Sequence, residues 1–372
     1  MRSTKQRMIL LLLLAGAALG PACSRSKPFQ AKTSTESGIP VVMNPGRPLH
    51  QKVLLRLTAE KSFDGREGGE GPLPAIDSFA VDRDGTVFVC SEKAALIKTY
   101  SAAGGFLGSF GTSNPDAGDL ERPQIVGITR DGELAVESSG HGMLVFYSRE
   151  GRPLRTISLA ALNIFRLGGD SRGRILIHSY RYVRPNVLYY LRLYDSGLEE
   201  IKTYGQYWEP QSVGNDFYAY LPILWWAIDG RDGVVYGYPQ RYELKVFGPD
   251  GAPLRIIRKE NAAPAITEKE KADYQKEYAK APYMRIHFPD LHSAFQKFTV
   301  DEKGWIYVMT WGRAAGAAGY WYDVFDENGI YTARVALGSM PQLWAGDRLY
   351  TLDADPSGTP VLVRHRFEWI FP

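Results

Sequence analysis

Histidines and carboxylates are the first residues to consider, because they could support metal or acid–base chemistry. The sequence has six histidines, and they are scattered along the chain. A catalytic zinc site needs at least three convergent protein ligands and an open position. No Gly-x-Ser-x-Gly nucleophile motif occurs between a strand and a helix. We therefore expect no catalytic residue, metal or other cofactor, unless the fold brings His178, His287, His292 and Asp290 together.

Aromatic and arginine residues are a stronger signal, because several segments between apolar runs are dense in them. Such side chains give large contact areas at low entropic cost, together with directional hydrogen-bond donors. The candidate ligand-binding residues are Tyr180, Arg181, Tyr182, Arg184, Trp208, Tyr218, Tyr220, His287, His292, Trp311, Arg313 and Trp321. A purely structural role for these loop aromatics stays open. By contrast, Trp225, Trp226 and Trp305 lie in apolar runs, where packing in the core is expected.

The elements that must position these residues follow from a repeated pattern of two apolar runs joined by a turn. The first copy contains the turn Asp82-Arg83-Asp84-Gly85, in which Asp bonds the backbone ahead and Gly accepts a positive φ. Related turns follow at 129–132, 170–173, 229–233 and 301–304, with a degenerate copy at 345–347. A second Gly-containing turn follows each of the first five copies. Each unit therefore offers four short strands, A to D, with tight A–B and C–D turns.

Four-stranded antiparallel units repeating in this way are the blades of a β-propeller. The sequence predicts an all-β, six-bladed propeller with blades near 76–111, 125–158, 164–205, 224–258, 295–336 and 341–369. The last blade lacks a fourth strand, which the segment around 53–57 can supply, so that the ring closes without an exposed edge. A seventh blade would need material that the sequence does not contain.

The long insertions are predicted to share one face. In a blade, the B–C loop and the D–A connection lie on the side opposite the tight turns. The extended segments are the B–C loops of blades 3 and 5 and the connections before blades 4 and 5. The longest, 259–292, contains the capping box Thr267-Glu268-Lys269-Glu270 and a predicted helix at about 268–280, which ends before Pro282. The candidate binding residues would then surround the mouth of the central channel.

The N-terminal residues indicate export. A basic start precedes the apolar run from Met8 to Leu19, which is too short to span a bilayer. Residues 1–22 are predicted to be a signal peptide, and Leu19-Gly20-Pro21-Ala22-Cys23 resembles a bacterial lipobox, with Gly20 where an aliphatic residue is usual. An ordinary signal peptide cut near Ala22 stays the alternative. Residues 23–52 are predicted to be a flexible, lipid-anchored tether, and 53–372 the propeller.

Composition argues against one class of partner. The formal charge is +3, but the predicted signal peptide holds three basic residues and no acidic ones, so the remaining chain has a charge of about 0. Nucleic-acid binding, which needs a basic patch to neutralise phosphates, is therefore not expected. The chain has two cysteines, Cys23 and Cys90. Cys90 lies in a strand-like run, where a small buried side chain is expected.

One segment carries a family resemblance. Gly65-Arg66-Glu67-Gly68-Gly69-Glu70-Gly71-Pro72, followed by strand, Asp-x-Asp-Gly turn and strand, resembles the opening of bacterial six-bladed propellers of the NHL type. A similar segment at 118–123 precedes blade 2. The resemblance extends over 53–369 and concerns the fold, since such propellers include binding modules, lyases and lactonases.

The enzymes among these relatives imply residues that this chain largely lacks. Propeller lyases carry several metal-binding histidines just before A strands, where this sequence offers His292 alone. Propeller lactonases hold a divalent cation with acidic residues. The corresponding B-strand ends here are Ser91, Ser138 and Ser179, with Asp353 as the exception. Because carboxylates are scarce at these positions, binding of a hard divalent cation is disfavoured.

Two functions remain open at this point. The first is an exported, non-enzymatic propeller that binds a protein, peptide or glycan at the cell envelope through the channel-mouth face. It would be a membrane-anchored lipoprotein, attached through lipid on Cys23 and on the periplasmic or outer-membrane side if the cell is Gram-negative. The alternative is a lyase or lactonase-type hydrolase at the channel mouth.

Overall fold

The computed structural model describes residues 29–65, 73–111, 120–210, 215–278, 284–314, 319–355 and 358–371. These residues form six four-stranded antiparallel blades around a common axis, which confirms the predicted fold class. The predicted signal peptide, Cys23, the glycine-rich segment 66–72 and the segment 112–119 lie outside the described residues.

The strands of the first half begin with an N-terminal hairpin, β1 (Lys32–Glu36) and β2 (Ile39–Asn44), and the ring-closing β3 (Leu54–Phe63). Blade 1 is β4 (Ser78–Val81), β5 (Val87–Ser91), β6 (Leu96–Tyr100) and β7 (Phe106–Phe110). Blade 2 is β8 (Pro123–Ile128), β9 (Leu134–Ser138), β10 (Met143–Tyr147) and β11 (Pro153–Ser158). Blade 3 is β12 (Ile164–Gly169), β13 (Ile175–Val183), β14 (Asn186–Tyr194) and β15 (Glu200–Pro210).

The second half contains two additional elements between blades. After β16 (Asp216–Tyr218), blade 4 is β17 (Trp225–Ile228), β18 (Val234–Gly237), β19 (Glu243–Phe247) and β20 (Pro253–Lys259). The helix α1 (Glu268–Glu277) and β21 (Arg285–His287) precede blade 5, which is β22 (Lys297–Val300), β23 (Ile306–Arg313), β24 (Tyr320–Phe325) and β25 (Tyr331–Leu337). Blade 6 is β26 (Pro341–Ala345), β27 (Arg348–Ala354) and β28 (Pro360–Ile370).

The repeated turns use the predicted chemistry. Gly85 has a φ of 84°, and its N–H donates to the Asp82 carbonyl, which closes the A–B turn of blade 1. Blade 4 differs, because Asp232 rather than the following glycine adopts the positive φ, at 66°. The Asp232 carboxylate accepts hydrogen bonds from the backbone and hydroxyl of Ser171, so this turn also ties blade 4 to blade 3.

The ring closes as predicted, with an N-terminal strand completing blade 6. β3 pairs antiparallel with β28, from Leu362 opposite Phe63 to Ile370 opposite Leu54. This pairing places the first and the last strand of the propeller in one sheet and covers an edge that would otherwise be open.

The hydrophobic core is divided among the blade interfaces. Six clusters of buried side chains lie between consecutive blades within the described residues. One example joins blades 5 and 6, where Tyr307 and Trp344 stack with ring centroids 4.0 Å apart. Each blade therefore buries its faces against its two neighbours, as in other repeat architectures.

The N-terminal hairpin corrects part of the predicted flexible tether at 23–52. β2 pairs parallel with β20, so β1 and β2 extend the blade 4 sheet to six strands. Val41 and Val42 are buried in this position, which gives the segment a hydrophobic reason to be ordered. Asn44 is fully buried and bonds the backbone of blades 4 and 5.

The helix confirms the predicted insertion between blades 4 and 5. Its N-terminus has the full capping box: Thr267 Oγ1 accepts from the Glu270 N–H, and the Glu270 carboxylate accepts from the Thr267 N–H. Among the described residues, no helix has the length and apolar character that crossing a bilayer requires.

Candidate functional site

The end of the propeller that carries the B–C loops and the D–A connections is named the mouth face. The connection before blade 4 and the insertion before blade 5 meet there, because β16 and β21 pair in parallel. Phe217 from the first segment contacts Tyr274 and Tyr278 of the helical segment, with ring centroids 6.4 Å and 5.6 Å apart. The helix is thus packed on the mouth face through aromatic rings.

Three of the sequence-predicted residues form one cluster on this face. The cluster consists of His292 from the insertion, Trp311 from the end of β23 in blade 5, and Tyr220 from the connection before blade 4. The rings of His292 and Trp311 stack at 4.0 Å with an interplanar angle of 18°, and Tyr220 contacts both rings edge-on. Tyr220 has a φ of 55°, a left-handed conformation that a bulky residue rarely adopts. Its surroundings hold this strained backbone in place.

Glu270 joins this cluster to the helix cap, a link that the sequence analysis does not contain. Its Oε1 lies 3.1 Å from Nε2 of the buried His292, while Oε2 receives the Thr267 hydroxyl and N–H. Burial disfavours the charged form of Glu270, but the hydrogen bonds from Thr267 and His292 outweigh it and hold its pKa below the usual value. The cap therefore also fixes the orientation of the histidine.

A second pair of predicted residues lies on the parallel bridge. His287 Nε2 is 2.7 Å from Asp216 Oδ1, and Tyr218 stacks on the His287 ring at 5.0 Å. The hydrogen bond from His287 and the nearby Arg285 lower the pKa of Asp216. Tyr218 keeps 38% of its surface exposed, so the outer side of this stacked pair is available to a ligand.

Between these two groups lies a groove of about 360 Å³, named the mouth groove. Its lining is mainly apolar and includes Tyr218, Leu221, Pro222, Pro239, Pro289 and Leu291. Tyr220, Gln240, His287 and His292 add polar groups to the lining, and Ser293 already donates its hydroxyl to the Phe295 carbonyl. Leu291 is 53% exposed, which leaves an apolar side chain at the groove for a partner to cover.

Blade 3 carries a separate aromatic cluster, in which the predicted Tyr180 and Tyr182 take part. Their rings are 5.4 Å apart, and Tyr180 also contacts Tyr189. Tyr189 was not among the predicted site residues, because in the sequence it belongs to the apolar run of β14 and not to a polar, aromatic-rich segment. It stacks on Tyr207 at 4.9 Å with an interplanar angle of 6°, and Tyr207 contacts Tyr238 of blade 4.

Two titratable groups beside this cluster are perturbed by burial. Glu209 is buried near Tyr189, Tyr207 and Tyr238, and desolvation raises its pKa to about 7. His178 is fully buried, bonds the Tyr207 hydroxyl at 2.9 Å, and has its pKa lowered to about 4, first by burial and then by the charge of Arg166. His178 is therefore a neutral core residue and not a member of the mouth groove.

The remaining predicted residues do not gather around one point. Arg181 and Arg184 lie exposed at the tip of blade 3, and Trp208 is 52% exposed on β15, opposite Leu188. The Arg313 guanidinium covers the Tyr320 ring at 3.8 Å, and Trp321 has Arg334 above it at 5.4 Å. The predicted surface is thus divided among the mouth groove, the tip of blade 3 and the blade 5 loop.

The histidines and carboxylates of the described residues form no group of three or more that could hold a metal ion. The Asp290 carbonyl accepts a hydrogen bond from the Ile266 N–H, and His292 Nε2 is bonded to Glu270. Asp353 accepts from Thr351, which also bonds His365. Cys90 is fully buried, and desolvation raises its pKa to about 12, so the thiol is unreactive.

Comparison with known proteins supports the fold. No protein-family model and no curated protein matches the chain. A solved structure of a Bacteroides fragilis protein whose name describes it as exported has a TM-score of 0.52 and 10% identity, covering 84% of this chain and 95% of the other. A DUF4221 family member from Bacteroides vulgatus has a TM-score of 0.49 and 10% identity, covering 86% and 99%.

A third similar structure is virginiamycin B lyase from Staphylococcus aureus, with a TM-score of 0.41 and 11% identity, covering 84% of this chain and 99% of the other. At such identities, similarity concerns the fold and not the activity. The comparisons leave the NHL type and the lipid anchor as predictions.

Proposed function

We propose that this chain is an exported, non-enzymatic propeller that binds a peptide segment of a partner protein at the cell envelope, in the mouth groove. The observation that carries the proposal is the groove itself, with an exposed stacked aromatic pair at one side and an exposed leucine. Aromatic and aliphatic anchors in a concave surface supply most of the binding energy in peptide recognition. Export and a lipid on Cys23 belong to the same proposal.

The lining favours a peptide over a glycan. A sugar carries a hydroxyl on most ring carbons, and burying these without partners costs about 1–3 kcal/mol for each unsatisfied group. The groove offers few groups to satisfy them, because the Ser293 hydroxyl and both histidine Nε2 atoms already have partners, which leaves the buried His292 Nδ1 as a ring nitrogen without a partner among the described residues. A peptide can instead place apolar side chains against Pro222, Pro239 and Leu291.

The same contacts disfavour a lyase or hydrolase at this site. His287 and Asp216 form a pair that could move a proton. Ser293 lines the groove and could in principle act as a nucleophile, but its hydroxyl donates to a backbone carbonyl instead. The described lining holds His287 and His292 but no carboxylate or thiol that could act as a nucleophile or complete a set of three metal ligands with them.

Selection with defined libraries tests the proposal. Purified full-length protein is panned against a phage library of random 12-residue peptides and, in parallel, against a glycan array. The dissociation constant of each selected peptide is then measured by fluorescence anisotropy. We expect Tyr218→Ala and Leu291→Ser each to weaken binding about tenfold or more, as expected when an interface anchor is truncated.

Leu154→Ser is the matched control, because Leu154 is 50% exposed on the outer strand of blade 2, away from the groove. It should leave the affinity unchanged. Selected peptides that bind both groove variants as tightly as the wild type would refute the proposal. Binders found on the glycan array alone, and lost in the groove variants, would replace the peptide with a glycan.

A further inference from the structure

The central channel contains a cavity that is distinct from the mouth groove. It has a volume of about 400 Å³, and its lining includes residues from the A strands of all six blades, β4, β8, β12, β17, β22 and β26. None of the residues that line the mouth groove lines this cavity. A volume of this size suits a small-molecule ligand.

Two cations from different blades lie in this lining. Arg166 is on β12 of blade 3, and Lys297 is the first residue of β22 of blade 5. Between them is Trp225 of blade 4: the Arg166 guanidinium lies 4.2 Å from the ring centroid and the Lys297 ammonium 5.8 Å. The indole N–H of Trp225 donates to the Phe298 carbonyl at 2.7 Å, which fixes the ring.

The positive charges have no counter-charge in the cavity. Among the lining residues that the structure describes, none is Asp or Glu. The Arg166 guanidinium has one hydrogen bond, from Nη1 to the Trp226 carbonyl, and the Lys297 ammonium has no ion pair or hydrogen bond within the described part of the chain. Both residues are half-buried, and their cationic groups lie over the rings of Trp225 and, for Arg166, also Trp226. Charges withdrawn from water are usually paired with an opposite charge, so two cations without one in a single cavity need an explanation.

The electrostatics of the two groups agree with this geometry. Burial lowers the pKa of Arg166 to about 10, and no acidic group raises it. Burial and then the charge of Arg166 lower the pKa of Lys297, which shows that the two cations repel each other. An anion placed between them would relieve this repulsion and raise the pKa of both groups.

The other polar groups in the lining fit the same ligand. The Trp226 indole N–H is buried and has no acceptor among the described residues, and the side chains of Gln124 and Gln342 also line the cavity. Arginine, lysine, indole and amide N–H groups are all donors. The apolar lining residues Val126 and Leu343 can contact a short carbon chain.

We propose that the central channel binds a small dianionic oxyanion, a dicarboxylate or a phosphate, between Arg166 and Lys297. The guanidinium can bind two oxygens of one acidic group, while the ammonium neutralises the second negative charge. This site is independent of the peptide proposed for the mouth groove, since the two share no residue.

Titration with defined anions tests this site in the full-length protein. Sodium succinate and sodium phosphate are the probes, succinamide is the neutral control, and sodium chloride is added to equal ionic strength. Binding is followed by calorimetry and by tryptophan fluorescence, since two indoles lie in the lining. We expect at least one dianion to bind and to raise Tm, and succinamide to do neither.

Lys297→Gln should weaken this binding about tenfold or more and remove the rise in Tm. Without any dianion, the variant should be at least as stable as the wild type, because it removes a repulsive charge. Lys245→Gln is the matched control, since Lys245 also lies over a ring, 5.7 Å from the Tyr236 centroid, but outside the channel. It should bind the dianion like the wild type.

Two results would overturn the proposal. One is that neither succinate nor phosphate raises Tm more than chloride does at the same ionic strength. The other is that Lys297→Gln folds and still binds the dianion with the wild-type affinity. Binding of phosphate alone, or of succinate alone, would support the site and show whether it accepts a phosphate or a dicarboxylate.

Discussion

Asn44 gives a quantitative test of how the N-terminal hairpin stabilises the propeller. Its side chain is fully buried and makes three hydrogen bonds to backbone groups. Its amide donates to the Gly329 carbonyl at 2.9 Å and to the Arg258 carbonyl at 3.2 Å, and its carbonyl accepts from the Tyr331 N–H at 2.8 Å. The side chain therefore connects β2 to both blade 4 and blade 5.

Replacing Asn44 with Ala leaves the Tyr331 N–H and the Gly329 carbonyl without these partners. A buried polar group without a partner costs about 1–3 kcal/mol, so the substitution should reduce the free energy of unfolding by about 3 kcal/mol. With an unfolding entropy of about 2.1 cal/mol/K per residue over roughly 300 residues, Tm should fall by about 5 °C. Differential scanning calorimetry measures this shift directly.

Asn261→Ala is the control for this substitution. Asn261 also donates its amide to a backbone carbonyl, that of Ala294, at 3.3 Å, but the bond is exposed to water. Water can replace the lost donor, so its Tm should stay within about 1 °C, in line with small effects at exposed sites. A shift below 1 °C for Asn44→Ala, or equal shifts for both variants, would refute the stabilising role of the hairpin.

Two further outcomes are expected. Burial raises the pKa of Glu209 to about 7, so the folded protein keeps a proton that the unfolded chain releases; stability should fall as the pH rises from about 4.5 to about 7. Glu209→Gln stays neutral and should reduce the difference in Tm between pH 5 and pH 8, and an unchanged difference would contradict the assignment. In cells grown with radioactive palmitate, the wild-type protein should carry the label and the Cys23→Ala variant should not. An unlabelled wild-type protein would reject the lipid anchor.

The sequence predicts the blades well because their information is local. An Asp-x-Asp-Gly turn between two apolar runs defines a hairpin within about a dozen residues, and the glycine φ values of 84° and 83° in blades 1 and 2 reflect that chemistry. The capping box at Thr267 and Glu270 is equally local, and the helix begins where it predicts. Repetition of one unit then specifies the ring.

The N-terminal hairpin and the two sites depend on long-range contacts, which local patterns do not encode. Residues 32–38 have the polar composition of a linker, and the short apolar run at 39–43 is ordered because β2 adds to a blade more than 200 positions later in the chain. Likewise, Arg166 and Lys297 lie in unremarkable strands of two different blades. Only the packing of blades 3, 4 and 5 side by side brings them to one Trp225 ring.

The aromatic residues of the mouth face show why composition alone overstates a binding surface. Tyr189, Tyr207 and Tyr238 pack on one another, and His292 with Trp311 supports the helix cap, so these rings hold the loops in place. The surface that remains for a ligand is smaller and consists of the exposed side of Tyr218 and its neighbours in the mouth groove. Because that groove is largely apolar while the channel carries uncompensated positive charge, one ligand does not suit both. The two proposals can therefore fail separately, and a defect of Lys297→Gln in dianion binding with intact peptide binding would separate them within one protein.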